Sequence, residues 1–235
     1  MRMSHNTIVI TGGATGIGFA MAKYLQQCDN QIVICGRRQD RLDQAAAQLP
    51  GIHTLCCDVA DAAGRSDLAD YVRTDFPEAN ILINNAGIQR DIDLTKGPAG
   101  LDGEDEIAIN LTAPIHLAAL FTDLLTEKDN ATIVNVSSAL AFMVERASRA
   151  PIYCATKAGL HAFSIAQRIQ LMPLHIRVIE IIPPAVESEL NMESRIKRGF
   201  VTSPNMLSAD DFVSRAFAQM ESDADEIRIQ MEWKH

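Results

Sequence analysis

Apolar residues in this chain follow two rhythms. Short runs rich in Val and Ile occur at Ile8–Ile10, Gln31–Cys35, His53–Cys57, Ile81–Ile83, Thr132–Val136, Arg177–Ile182 and Ile227–Ile229. Between them, apolar positions recur every three or four residues over Ile17–Gln27, Arg41–Leu49, Ser66–Phe76, Gly103–Leu125, Tyr153–Leu171 and Ala209–Met220. Continuous apolar runs are the mark of strands covered on both faces, and the longer period is that of amphipathic helices. Their regular alternation predicts an α/β fold, a parallel sheet with helices on both faces. Right-handed crossovers make it doubly wound. No repeat, low-complexity tract or linker interrupts the pattern, so residues 1–235 read as one domain. The longest stretch without a clear period is Glu187–Asn205, and a lid or substrate loop is expected there.

Composition narrows the function. A formal net charge of −9 disfavours binding to a phosphate backbone, so no nucleic-acid partner is expected. The five cysteines are odd in number and form no CxxC pair, which points to a reducing compartment. The adjacent Cys56 and Cys57 suit buried strand positions. The histidines are scattered and no HExxH occurs, so no protein-ligated metal is expected. The N-terminal MRMSHNT leads into IVI without an apolar signal region, and no membrane-spanning run is apparent. The expected location is cytoplasmic.

The first strand is followed by TGGATGIG, with Gly12, Gly16 and Gly18 at the turn into a helix. Glycines serve where the chain turns tightly, where backbone meets a pyrophosphate and where helix packs on strand. The helix N-terminus offers free N–H groups and a positive dipole end. An ordinary strand–helix turn is the plainer alternative. No Gly-Lys-Ser/Thr follows, so this is not a P-loop. At the end of the second run, Gly36 stands where an NAD site places an acid for the ribose 2′-hydroxyl. Arg37 and Arg38 follow, able to clamp a 2′-phosphate or to serve as solvated charges. Asp58 ends the third run, suited to the adenine amino group or to a helix cap.

Tyr153 and Lys157 are four apart in a helical pattern and share a face. An ammonium beside a phenol lowers the phenol's pKa, which is how such a pair serves as acid and base. Ser137 and Ser138 close the β-branched run before that helix, at the sheet edge where ligands bind in open α/β folds. Ser138 is the better candidate for a donor to a substrate carbonyl. Asn110 lies in an otherwise helical stretch four residues before Pro114. Proline has no N–H for the carbonyl of Asn110, so a break is expected there, with that carbonyl free to hold a water.

Taken together, TGGATGIG (Thr11–Gly18), NNAG (Asn84–Gly87), Asn110, VNVSS (Val134–Ser138) and YCATK (Tyr153–Lys157) resemble the short-chain dehydrogenase/reductase family, in its shorter branch. CGRRQDRLDQA, INNAGIQR and PIYCATKA are similar to its bacterial DltE-type oxidoreductases. The resemblance spans essentially the whole chain. It implies a Rossmann-type three-layer sandwich whose seven-stranded parallel sheet has the order 3-2-1-4-5-6-7, and a nicotinamide cofactor. It implies Tyr153 as general acid/base and Lys157 as the group that lowers its pKa and holds the nicotinamide ribose. Ser138 then polarises the carbonyl, and Asn110 holds a relay water. Cofactor contacts fall to Gly12, Thr15, Gly16, Ile17, Gly18, Arg37, Arg38, Asp58, Val59, Asn85, Ala86, Gly87, Tyr153, Lys157, Pro183, Val186 and Ser188. The position of Arg37 favours NADP over NAD. Three departures stand out. Pro184 replaces the usual glycine, Ser188 stands for the usual threonine, and Ser138 precedes Tyr153 by 15 positions, a longer spacing than many relatives have.

The resulting expectation is an NADP-dependent oxidoreductase acting on a carbonyl or alcohol. Its rivals are a non-catalytic NADP-binding regulator and a non-redox epimerase or dehydratase. Arg146, Arg149, Arg195, Lys197 and Arg198 could meet an anionic substrate or be solvated loop charges. His161, one turn beyond Lys157, reads as packing. Small residues at Ala113, Ala118 and Ala119, and at Ala155, Ala158, Gly159 and Ala162, suit close helix pairing in a homodimer or homotetramer.

Overall fold

A computed structural model describes residues 1–101, 105–143, 145, 149–190, 196, 206–220, 222 and 224–229. Arg146, Arg195, Lys197 and Arg198 lie outside the described residues. The strands are β1 (Thr7–Thr11), β2 (Gln31–Gly36), β3 (His53–Cys56), β4 (Ala79–Asn84), β5 (Thr132–Val136), β6 (Arg177–Ile182) and β7 (Glu226–Arg228). The helices are α1 (Gly16–Gln26), α2 (Gln39–Gln48), α3 (Ala62–Asp75), α4 (Ala113–Leu125), α5 (Pro151–Leu171) and α6 (Ala209–Met220). All strand pairs are parallel, in the order β3-β2-β1-β4-β5-β6-β7.

The two-residue strand period divides the core. In β1, Ile8 and Ile10 face a cluster built with Met21 and Leu25 of α1 and Phe212 and Phe217 of α6. Val9 faces the opposite cluster, with Leu68 and Val72 of α3 and Leu117, Phe121 and Leu125 of α4. Both faces are therefore apolar, which is why the central runs show no alternation. Each fully buried Leu, Ile or Phe contributes about 1.5–3 kcal/mol by leaving water.

Four expectations change at this level. Cys56 is exposed and Cys57 half-buried, because β3 is the edge strand. Ala113 and Ala118 face the chain's own core, and Gly159 packs against Leu111, where a Cβ would lie 3.2 Å from Leu111 Cδ2. Only Ala119, Ala155 and Ala162 of the small-residue set are exposed. The stretch Ala108–Leu125 does reach the length and hydropathy of a membrane span, with a mean hydropathy of 1.4, yet its apolar face packs on the sheet. Finally, the break expected near Asn110 is not a proline kink within one helix: Ala108–Thr112 form a π-turn, and α4 begins only after it, with Pro114 in its first turn. Proline is tolerated there because first-turn N–H groups have no intrahelical partner. Pro151 occupies the same kind of position in α5.

Candidate active site

The turn after β1 is held from three sides. The Cys35 carbonyl accepts from the N–H groups of Gly12 at 2.9 Å and Gly13 at 3.3 Å. The Asn85 side-chain amide donates to the carbonyls of Thr11 at 3.0 Å and Gly12 at 3.1 Å. The Thr11 hydroxyl accepts from Asn85 N–H and Ala86 N–H, each at 3.0 Å. Gly12 has φ 64°, a left-handed conformation that favours glycine. A Cβ on Gly18 would come within 2.3 Å of the Gly12 carbonyl oxygen, so only hydrogen fits. Thr15 makes no side-chain cap, and the first turn of α1 carries no acid. The helix thus keeps its N–H groups and positive dipole end for an outside anion. This cradle fits a dinucleotide pyrophosphate. Ile17 turns away into the core. Ser188 lies over the loop, its Cβ 3.2 Å from where a Cβ on Gly16 would stand.

Beyond β2, Gly36 carries no side chain and Arg37 and Arg38 follow. The Arg38 guanidinium pairs with Glu189 at 2.9 Å, and Arg41 reaches the same carboxylate at 3.0 Å. Asp58 Oδ1 accepts from Ala60 N–H at 2.9 Å, a local turn ahead of α3. Val59 is buried, and its carbonyl, with that of Ala60, takes a bond from the buried Arg65 guanidinium at 2.7 Å. Pro183 lends its carbonyl to Ala139 N–H at 2.9 Å, and Val186 pairs with Leu207 in a parallel bridge.

The reacting groups converge where β4, β5 and α5 meet. Ser138 follows β5; its Oγ accepts from Leu140 N–H at 3.1 Å, and its hydroxyl is near enough to the Tyr153 phenol to lower the phenol's pKa. The longer spacing between the two residues therefore leaves them close together. Tyr153 is 6 % exposed. Burial pushes its pKa up to about 12, and the Ser138 hydroxyl pulls it back only in part. Lys157 Nζ lies 5.7 Å from the Tyr153 ring centre and donates to the Val136 carbonyl at 2.8 Å. Burial lowers its pKa to about 8, against the attraction of the Glu180 carboxylate. The expected depression of the phenol pKa by Lys157 is thus not seen: burial dominates and raises it, and the ammonium donates to the Val136 carbonyl.

Asn110 sits within the π-turn. Its amide donates to the carbonyl of Ile88 at 2.9 Å and to Thr156 Oγ1 at 3.2 Å. Gly87 occupies the floor between, where a Cβ would lie 3.2 Å from Asn110 Oδ1 and 3.6 Å from Lys157 Nζ. Behind this layer, Asn84 donates to Asn135, which in turn donates to Ser164 and Gln167, each bond 2.9 Å long. The expected residues thus form one edge, from the glycine loop through 85–87 to Ser138, Tyr153 and Lys157.

Sequence reasoning passed over three groups. The Thr11 hydroxyl organises the glycine loop. Glu106, 2 % exposed, accepts from Arg90 N–H at 3.2 Å and raises the pKa of Tyr153 and Cys154 by its charge. Glu180, fully buried, is 2.7 Å from His161 Nδ1, so His161 is a polar partner rather than packing alone. The signal for Glu180 was present: a lone acid in the middle of RVIEII.

A parallel sheet with a glycine-lined helix N-terminus and a Ser–Tyr–Lys group at its carboxyl edge defines a dinucleotide-binding oxidoreductase fold. The family profile described as short chain dehydrogenase matches residues 6–199, and the chain belongs to that family. It is 49% identical over 201 residues to an uncharacterized oxidoreductase DltE of Bacillus subtilis, covering 85% of this chain and 79% of the relative. A short-chain dehydrogenase from Sphingobium yanoikuyae, solved with NADPH, superimposes with a TM-score of 0.82 at 28% identity, covering 95% and 87% of the two chains. A Burkholderia phymatum relative in complex with NAD shares the fold, with a TM-score of 0.84 at 19% identity, covering 97% and 89%.

Proposed function

We propose that this chain is an NADP-dependent oxidoreductase that moves a hydride between nicotinamide and a small carbonyl or alcohol substrate. The observation that carries the reading is the convergence of the buried Ser138 hydroxyl on the buried Tyr153 phenol, with Lys157 one helical turn on. In this reading Gly12, Thr15, Gly16, Ile17 and Gly18 hold the pyrophosphate. Asp58 and Val59 take the adenine, Asn85, Ala86 and Gly87 line the path, and Pro183, Val186 and Ser188 meet the carboxamide. Arg37 and Arg38 select the 2′-phosphate, and NAD is taken less well.

A bound nicotinamide supplies or accepts the hydride. The side chains do the rest. In reduction, Ser138 donates to the carbonyl oxygen as charge develops on it. Tyr153 donates the proton as general acid and takes it back in the reverse direction. The Lys157 ammonium offsets the phenolate and holds the nicotinamide ribose. Pro114 cannot fill the Asn110 carbonyl, which holds the water that returns the proton. The enzyme works in the cytoplasm as a homodimer or homotetramer, with Ala119, Ala155 and Ala162 on the outer faces of the helices that pair. Nucleic acid and membrane have no part in it.

The test is absorbance at the nicotinamide band with NADPH and NADH across a panel of ketones, aldehydes and alcohols. NADPH turnover that is lost in Tyr153→Phe is expected. No turnover with either cofactor would overturn the reading.

A further inference from the structure

Glu180 stands at the middle of β6 with no solvent exposure. A carboxylate in the dry centre of a parallel sheet is costly unless it is paired and hydrogen-bonded. Here both oxygens are engaged. The Ser137 hydroxyl donates to Oε1, and His161 Nδ1 lies 2.7 Å from Oε2. Ser137 is the residue before Ser138, and His161 is one turn beyond Lys157 on α5. One carboxylate therefore grips both elements that carry the reacting groups.

The charged neighbours of Glu180 come from two elements. From α5 they are Lys157 and His161; from β7 they are Glu226 and, through it, Arg228. Ser137, just past the end of β5, adds a hydroxyl. The ligand atoms of His161, Glu180 and Glu226 all lie within 4.8 Å of one another, a donor set that also suits a metal. Their existing partners argue otherwise. Glu226 pairs with Arg228 at 3.0 Å, and that guanidinium stacks 4.3 Å from the centre of Phe142, which packs edge-on against His161. The group is a closed cluster of hydrogen bonds and ring contacts.

We propose that Glu180 is a positioning residue for the reaction centre: through Ser137 it sets the strand end bearing Ser138, through His161 it anchors α5, and its negative charge acts on the ammonium of Lys157 in that same helix. This rests on the reading of Ser138, Tyr153 and Lys157 as the reacting group. The Coulombic part follows from sign. Burial draws the Lys157 pKa down to about 8, and the carboxylate opposes that pull. Take the negative charge away, and the amine becomes neutral at a lower pH.

The test is Glu180→Gln, which keeps the shape and an acceptor but not the charge. The Lys157 protonation midpoint is read from the pH titration of lysine Cε resonances, with Lys157→Met assigning the signal. It should fall by about one pH unit, a tenfold change in the protonation constant, and Glu180→Asp should restore it. In turnover, kcat/KM for carbonyl reduction by NADPH should fall about fivefold at pH 8 and recover most of that loss at pH 6. An unmoved midpoint, or a loss equal at both pH values, overturns the proposal. Should the glutamine form not fold, Glu180→Met removes the charge with an apolar side chain and must show the same fall. The titration needs no turnover. A lowered midpoint in a protein that reduces no carbonyl would sink the oxidoreductase reading while leaving the grip of Glu180 on Lys157 intact.

Discussion

Asn110 and Ile88 exchange two hydrogen bonds, Ile88 N–H to Asn110 Oδ1 and Asn110 Nδ2 to the Ile88 carbonyl, each 2.9 Å long. The side chain thus imitates a neighbouring strand for the loop that leaves β4. Asn110→Ala should orphan both backbone groups at a cost of about 1–3 kcal/mol each. A lower urea midpoint and weaker NADPH binding are expected together. An unchanged midpoint would show that water replaces the amide at no cost.

Tyr153→Phe should lower kcat by about 10²–10⁴-fold while NADPH affinity, read by fluorescence titration, stays within a factor of two or so. Retention of most of kcat would remove Tyr153 from the chemistry.

Lys157 ties stability to pH. Its pKa falls from 10.5 in the open chain to about 8 in the fold. Below pH 8 both states hold the proton, and the folded state bears the full cost of the buried charge. Between 8 and 10.5 the unfolded chain binds the extra proton, so stability rises with pH. The shift corresponds to about 3 kcal/mol at most, from which the lost bond to Val136 subtracts about 1. Lys157→Met should therefore be the more stable protein at pH 7, with the gap closing towards pH 10. Urea midpoints at the two pH values check it, and a gap that widens with pH would contradict the assigned direction.

Glu189 draws on Arg38 and Arg41 at once. All three side chains are partly exposed, so each pair is worth only about 0–1 kcal/mol. Glu189→Gln should release the guanidinium groups and improve NADPH affinity by roughly two- to fivefold, with little change for NADH. Gly36→Asp with Arg37→Ile should reverse the preference, by adding an acceptor for a 2′-hydroxyl and repelling a 2′-phosphate. Equal kcat/KM for NADPH and NADH in the unaltered protein would reduce these arginines to surface charges.

Gly18→Ala places a methyl group 2.3 Å from the Gly12 carbonyl and 2.5 Å from Asn85 Nδ2. The loop must shift, at about 1–3 kcal/mol. Lower thermal stability and loss of NADPH binding should appear together. Loss of neither would mean that α1 can slide outward freely.

Local pattern made much of this architecture readable. The strands have no polar face because both sheet faces are covered, and the glycines mark one turn that no other residue can make. What escaped was relational. Whether Ala113 faces a neighbour or its own sheet depends on which side of α4 packs, and the periodicity of a mostly apolar helix does not say. Cys56 is exposed because β3 is an edge, a fact of strand order rather than of its own sequence. Glu180 was visible as an anomaly in an apolar run, but its partners lie 43 and 19 positions away, just past β5 and on α5. The π-turn at Asn110 was legible only as a break, since a proline reports a missing donor and not the geometry that replaces it.

The bridge between Val186 and Leu207 ties together the two ends of a long chain segment. Glu187 N–H donates to the Leu207 carbonyl at 2.9 Å, and Leu207 N–H donates to that of Ala185 at 3.1 Å. These bonds close the chain on itself immediately after β6 and again just before α6. Whatever length is enclosed, its two ends leave and return at one point of the scaffold. Doubling such a loop costs only about 0.6 kcal/mol in closure entropy. A change in the number of residues between these two points therefore leaves the sheet, the glycine turn and the Tyr153 helix unstrained.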